Sequence, residues 1–421
     1  MRRYVIKPLK LIGVLIFVYS VLLIIVYIPK SAKLIEHTVA AGKIIDDEGD
    51  HRTPVLAYPG DIQLDNVTDR IMLSKAQGNA NFSPIRNAFS GYARYWHGYL
   101  VLLRPLLMLF SYRSIRYLSL FHITLLMFGA AVMLSKKLGT HFTFLFGFVL
   151  CMCNYNIFPY SLQFSSIFYV MLYAVLIIMI LDKRLLNNNN EWYIYTFLAI
   201  GSITNYVDFL TAPLLTLGIP LTLCYILRNK YLEQTYISNL RYLFIGSLYW
   251  GAGYASTWIS KWILTYIIDS NAIIVSVSQA ARLRLIGGEY EGRYYPLDRI
   301  QMLSANISSM YPPVLIILLV IIILALLLFI IRHHKPASRI YSMSPVLFLC
   351  VYPYIWYMVM AHHSQAHNFF TYRIQAITIF AFGAFLLSCL PDNFTCFKNT
   401  WILWTCDPRS GLEPDPTNRI K

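Results

Sequence analysis

An all-α, polytopic membrane protein is the fold class this sequence predicts, for three reasons. Hydrophobic residues make up 57% of the 421 residues and charged residues only 13%, against roughly 45–50% and 25% in a soluble domain. Apolar runs recur along the chain at lengths approaching the roughly 20 residues a helix needs to cross a bilayer. The segments between them fall into two kinds, one short and basic, the other longer and mixed in charge.

The amino terminus, MRRYVIKPLK, is basic and leads into an apolar run over about 11–28. With no convincing small-residue cleavage site after it, this reads as an uncleaved anchor whose amino terminus is cytoplasmic. Further spans are expected over about 115–134, 142–158, 166–181, 192–210, 213–227, 242–262, 314–331, 340–360 and 374–390, about ten in all. Every connector this places inside is basic: Lys136/Lys137, Lys183/Arg184, Arg228/Lys230/Arg241 and Arg332/Lys335/Arg339. One miscounted span would reverse each later loop, so the agreement supports the count.

The stretch Tyr99–Phe110 is too short to span and is interrupted by Arg104-Pro105. Residues Tyr92–Tyr112 are therefore expected to form an amphipathic helix on the outer membrane surface. On such a helix Arg94, His97 and Arg104 project within about 80° of one another. The first outer loop then covers about 29–114 and a later one about 263–313, with 1–390 as the membrane domain and 391–421 as a cytoplasmic tail. The work is expected on the extracytoplasmic face of the plasma membrane.

The net charge of +15 comes with no nucleic-acid recognition module, so membrane phosphates are its expected partners and nucleic acid is not. Five of the seven cysteines, Cys151, Cys153, Cys224, Cys350 and Cys389, lie in apolar runs. That argues against a disulfide scaffold, and C-x-C is neither a redox nor a zinc spacing. His363 and His367 are four apart, but Ser364 stands where a zincin carries glutamate. No cofactor is expected, although a divalent metal stays open.

Four stretches carry candidate chemistry. In "QLDNVTDRIML", Asp65 and Asp69 share a face if helical, with Asn66 and Arg70 beside them. Two such carboxylates could split into base and ligand, or one could simply cap a helix. The upstream run Asp46, Asp47, Glu48 and Asp50 reads as solvated. Asp208 ends the fifth span near the outer boundary, where a carboxylate needs a partner. Arg282, Arg284 and Glu289 surround Gly287-Gly288 in a candidate mobile loop that matches no phosphate-binding fingerprint. Finally, "HHSQAHNFFTYR" puts His363, His367 and Arg373 at the outer lip of the ninth and tenth spans, suited to a phosphate.

The stretches "LDNVTD", "RYWHGYLVLLRPLL" and "HHSQAHNFFTYR", with the layout of the loops, resemble the GT-C superfamily over roughly residues 1–390. These are polytopic glycosyltransferases that use polyprenyl-phosphate sugars outside the cytoplasm, and the closer likeness is to a bacterial subgroup. The resemblance implies a catalytic acid in the first outer loop, Asp65 or Asp69. It also implies donor-phosphate contacts from Arg94, His97, Arg104, His363, His367 and Arg373, and an extracytoplasmic glycan, lipid or protein acceptor. Members often carry the acid as Asp-Asp, Asp-Glu or Glu-x-Asp, whereas this chain has Asp-Asn followed by Thr-Asp. A transporter or flippase is the competing reading, though it would want polar residues at mid-membrane. A non-catalytic scaffold is the third.

Overall fold

A computed structural model describes residues 2–52, 63–90, 94–186, 191–268, 274–290, 293–333 and 336–390. The expected tail, 391–421, and the start of the expected surface helix at Tyr92 lie outside them. The described chain is helical throughout, apart from one two-stranded hairpin (β1 Gly288–Tyr290, β2 Arg293–Tyr295).

A single turn of π-helix leads into α1 (Lys7–Ile25), followed by α2 (Ala32–Glu48), α3 (Asn66–Gln77) and the short α4 (Pro84–Phe89). Next come α5 (Leu100–Leu109), α6 (Tyr112–Leu138), α7 (Thr140–Met152), α8 (Leu162–Leu185), α9 (Glu191–Val207), α10 (Leu215–Tyr231) and α11 (Tyr236–Ile268). After α12 (Ile274–Ile286) and the hairpin follow α13 (Arg299–Met310), α14 (Pro313–His333), α15 (Ala337–Met343), α16 (Tyr352–Val359), α17 (Ala361–Ala366), α18 (Asn368–Thr371) and α19 (Ala376–Cys389).

Every apolar run read from the sequence is helical. Among the described residues five helical stretches are long and apolar enough to cross a membrane: Tyr4–Ile25, Tyr112–Leu138, Leu162–Leu185, Ala337–Val359 and Asn368–Cys389. The chain is thus a helical membrane protein, and the surface of α14 fits that class. Its Ile317, Ile321, Leu324 and Leu328 are exposed, an outer face of the kind lipid tails cover. The last two stretches are not continuous α-helices, because 3₁₀ segments at Ser344–Val351 and Tyr372–Gln375 interrupt them.

Helices α9 and α11 meet backbone to backbone. A Cβ added at Gly201 would lie 2.0 Å from the Trp250 carbonyl oxygen, and one at Gly253 would lie 2.1 Å from that of Leu198. Small residues permit such contact between membrane helices, where packing rather than water exclusion drives association. At one end of the bundle the basic connectors touch. Lys137 pairs with Asp182 at 2.7 Å, and Lys230 donates to the Lys137 carbonyl at 2.5 Å. The opposite end of α8 meets α3, and the candidate residues gather there.

The helix expected on the membrane surface is shorter than Tyr92–Tyr112. His97 takes a left-handed φ of 61°, which breaks the helix, so α5 begins at Leu100 and Arg94, His97 and Arg104 share no stripe. The nearby Gly98 is required by close approach, since a Cβ there would enter the Tyr206 ring. Arg104 turns inward rather than toward a phosphate. Its Nε donates to the Val26 carbonyl at 2.7 Å, its Nη1 to those of Ala76 and Gln77, and its Nη2 to that of Pro29. The guanidinium also lies 4.3 Å from the centre of the Tyr27 ring. It therefore clamps the unpaired carbonyls that end α1 and α3. Arg104→Ala is expected to cost about 1.5–3 kcal/mol or more. Arg104→Lys should recover little, because a point charge cannot reach several carbonyls at once. Thermal unfolding of the two variants in detergent checks both.

Candidate functional site

Helix α3 starts where Asp65 caps it. Its Oδ1 accepts from the Thr68 amide at 3.0 Å and its Oδ2 from the Thr68 hydroxyl at 2.7 Å, the arrangement of an N-cap. One turn later Asp69 is fully buried, and both of its oxygens are saturated. Oδ1 accepts from Ser161 Oγ at 3.1 Å and the Gln163 amide at 3.0 Å. Oδ2 accepts from the Leu162 amide at 2.8 Å and Tyr112 Oη at 3.2 Å. The amides are the otherwise unpaired donors of the first turn of α8. Asp69 fastens α3 to α8, and no lone pair is left for a substrate.

The two carboxylates thus part company. Burial pushes the Asp69 carboxyl up to about 6, against the pull of the Leu162 and Gln163 amides. Burial also raises Asp65, while its bonds from Thr68 and the nearby His51 and Arg284 favour the ionised form. Asp65 lines a cavity of about 40 Å³ together with Gln163, Arg284, His363 and His367, walled by the rings of Tyr95, Phe209 and Phe370.

Arg284 is the cation of this cavity. Its Nη1 lies 2.6 Å from His363 Nδ1 and 2.9 Å from His367 Nε2. A guanidinium only donates, so both ring nitrogens must be acceptors and both imidazoles neutral. His363 then carries its proton on Nε2 and donates it to the Leu210 carbonyl at 2.9 Å. Burial, reinforced by Arg284, holds His363 far below the usual histidine range and pushes His367 down to about 3. Both histidines therefore accept from Arg284; His363 spends its remaining proton on Leu210, while His367 keeps its own on Nδ1. Leu210 offers its carbonyl from a left-handed φ of 65°, uncommon for a bulky residue. Asp208 stabilises that turn, accepting from the Thr211 amide at 3.0 Å. It lies behind the cavity wall rather than in the cavity.

Arg373, expected at the lip beside the histidines, is buried elsewhere. Its Nε donates to the Cys153 carbonyl at 2.9 Å and its Nη1 to that of Phe369 at 3.4 Å. The guanidinium sits 4.5 Å from the Phe164 ring centre, 4.9 Å from Tyr372 and 5.1 Å from Phe158. This aromatic cage sets it apart from the cavity that His363 and His367 line, and the Arg373 Nη2 has no hydrogen-bond partner among the described residues.

The remaining candidates also lie outside. His97 is buried behind Phe209, with its Nδ1 3.3 Å from Tyr99 Oη. The Arg94 carbonyl accepts from Trp258 Nε1 at 2.9 Å, a backbone contact that ties the segment to α11. Asn66 donates to the Gly49 carbonyl at 2.7 Å, joining α3 to the end of α2. Arg70 pairs at the surface with Asp46 at 2.6 Å and Asp50 at 3.1 Å. Arg282 and Glu289 are exposed. Glu48, read as part of a solvated run, instead takes both Arg116 nitrogens, at 2.6 and 2.9 Å.

Beside the cavity runs an apolar groove of about 850 Å³ between α5, α6, α8 and α9, bordered by Leu103, Leu106, Ile115, Phe121, Ile177 and Ile203. Consecutive residues serve the two spaces: Ile71 faces the cavity and Met72 the groove, while Gln163 faces the cavity and Leu162 the groove. The sequence reading missed this groove, as it missed Gln163, Tyr95, Phe209 and Phe370. The one available signal was the polar Ser161-Leu162-Gln163 opening an otherwise apolar run. Among the described residues no group of three or more His, Cys, Asp or Glu is placed to hold a metal ion. No protein family, no curated protein and no solved structure matches this chain.

Proposed function

We propose that this chain is a membrane glycosyltransferase of GT-C type, moving a sugar from a polyprenyl-phosphate donor to the hydroxyl of an extracytoplasmic acceptor. The observation that carries the reading is the pairing of a polar cavity, holding the Asp65 carboxylate and the Arg284 cation, with an adjoining apolar groove. An isoprenoid tail would lie in the groove and its phosphate at the mouth of the cavity beside Arg284, since the cavity of about 40 Å³ is too small to enclose it. Asp65 would take the proton from the acceptor hydroxyl as general base. The acceptor oxygen would bond to the anomeric carbon as the carbon–oxygen bond to phosphate breaks. The phosphate would leave with the electron pair, and Arg284 would meet its charge. This scheme needs no metal.

The touching basic connectors support a ten-span arrangement in the plasma membrane, with both termini cytoplasmic and the Asp65 cavity outside. The acceptor, a glycan, lipid or protein of the cell envelope, would approach from that face.

The experiment is reconstitution of the purified protein into vesicles containing radiolabelled polyprenyl-phosphate hexoses of several kinds. Consumption of at least one donor, dependent on Asp65, is expected. If the vesicles neither bind nor consume any of them, the glycosyltransferase reading is wrong.

A further inference from the structure

We propose that Gln163 recognises a hydroxyl of the sugar on the donor, across the cavity from Asp65. The inference rests on the glycosyltransferase reading and names a residue that neither motif nor resemblance marks.

Gln163 is the second residue of α8 and is only 2% exposed. Its backbone amide is held by Asp69 at 3.0 Å, so the residue is fixed at its root. The side chain lines the cavity, yet its amide oxygen has no hydrogen-bond partner among the described residues. Buried polar atoms are nearly always paired, so an orphan acceptor beside a cavity calls for a donor from a ligand or a water. The volume decides what can enter. About 40 Å³ holds roughly two or three non-hydrogen atoms, since one water needs about 10–15 Å³ on this measure. A whole sugar ring does not fit, whereas its hydroxyl or hydroxymethyl edge does. The rings of Tyr95, Phe209 and Phe370 wall the same space, which shields it from bulk water and makes a lost partner felt. Arg284 supplies donors and Asp65 is an acceptor, so Gln163 adds a second acceptor that a hydroxyl can satisfy and a phosphate in its fully ionised form, above about pH 7, cannot.

Two ligands separate this role from the rest of the site: polyprenyl phosphate without sugar, and a polyprenyl-phosphate hexose. Both would be titrated in vesicles against the wild type and Gln163→Met, which keeps the length and apolar packing but loses the acceptor. The variant should bind the sugar-bearing lipid about 5- to 10-fold more weakly, the cost of one hydrogen bond. It should bind the bare lipid as the wild type does. Equal weakening of both lipids, or of neither, would show that Gln163 is structural or meets only a water, and the proposal would fail. If the wild type binds neither lipid, the glycosyltransferase reading falls and takes this inference with it. Should Gln163→Met not fold, mono-deoxy hexose donors carry the test on the wild type. One deoxy position should lose the same factor, and uniform affinity across the series would count against the idea.

Discussion

Asp65→Asn is expected to reduce sugar transfer by about 10²-fold or more, the usual loss on removing a general base, with thermal unfolding unchanged. Asp69→Asn should do the opposite and lower stability first. The difference lies in what each carboxylate accepts. At position 65 an asparagine remains a good cap: its oxygen can take the Thr68 amide and its amide can donate to the Thr68 hydroxyl, which rotates to accept. At position 69 each oxygen faces two donors. An amide group there must point its own hydrogens at two of them, stranding buried donors at about 1–3 kcal/mol each. Because burial raises Asp65 above the ordinary carboxylate range, wild-type turnover should also fall at a higher pH than an exposed aspartate would give, as the base becomes protonated. Rate against pH, with unfolding curves for both variants, tests the pair. Full activity in Asp65→Asn would place the base elsewhere.

How far the sequence carried is visible in these residues. Long apolar runs became helices, because such a stretch has few other fates in a chain of this composition. The helices within the two outer loops, α2 to α4 and α12 to α13, carried no such signal. The dodecapeptide "HHSQAHNFFTYR" and the acid motif meet at one cavity, lined by Asp65, His363 and His367. What a linear reading lacks is azimuth. Depth along a span follows from position, but the direction a side chain faces depends on unbroken periodicity, and the 3₁₀ segment Tyr372–Gln375 shifts it just where Arg373 sits. The same holds for Arg104, whose aim was inferred from a helix that the left-handed His97 interrupts.

A second reason is chemical. An arginine near an interface looks alike whether it waits for a phosphate or for backbone carbonyls, since both offer oxygen acceptors. Arg104 and Arg373 found carbonyls, while Arg284 found two imidazoles. Nothing in the spacing of His363 and His367 says that they accept from a distant arginine rather than donate to a ligand. That assignment needs the 2.6 and 2.9 Å contacts themselves.

Arg284→Ala is therefore the substitution that should most weaken donor handling, by about 10²-fold or more in turnover, the scale on which losing a preorganised donor is felt. Arg284→Lys should not rescue it. An ammonium that held both ring nitrogens would have one donor left for a phosphate, whereas the guanidinium, bound to both through Nη1, keeps the hydrogens of Nη2 and Nε. Arg373→Lys, in contrast, should act on stability alone. The histidines add a pH signature whose sign is fixed. Both are held below their unfolded value, so the latch is intact above the ordinary histidine pKa of about 6.5. It is lost as pH falls toward the depressed folded values, about 3 for His367. Protonating either ring replaces an acceptor by an N–H aimed at the guanidinium, which must then leave. The donor's phosphodiester keeps a single charge over this range, so any change in affinity comes from the protein's own groups, Asp65 and Asp69 as well as the histidines. Donor binding by the folded protein should therefore show no loss from the latch until pH approaches those folded values, whereas the stability the latch contributes should begin to fall below about 6.5. His363→Phe should bind the donor more weakly already at neutral pH. A His363→Phe variant that binds the donor as the wild type does at neutral pH, or a fully active Arg284→Ala, would remove Arg284 from the phosphate site.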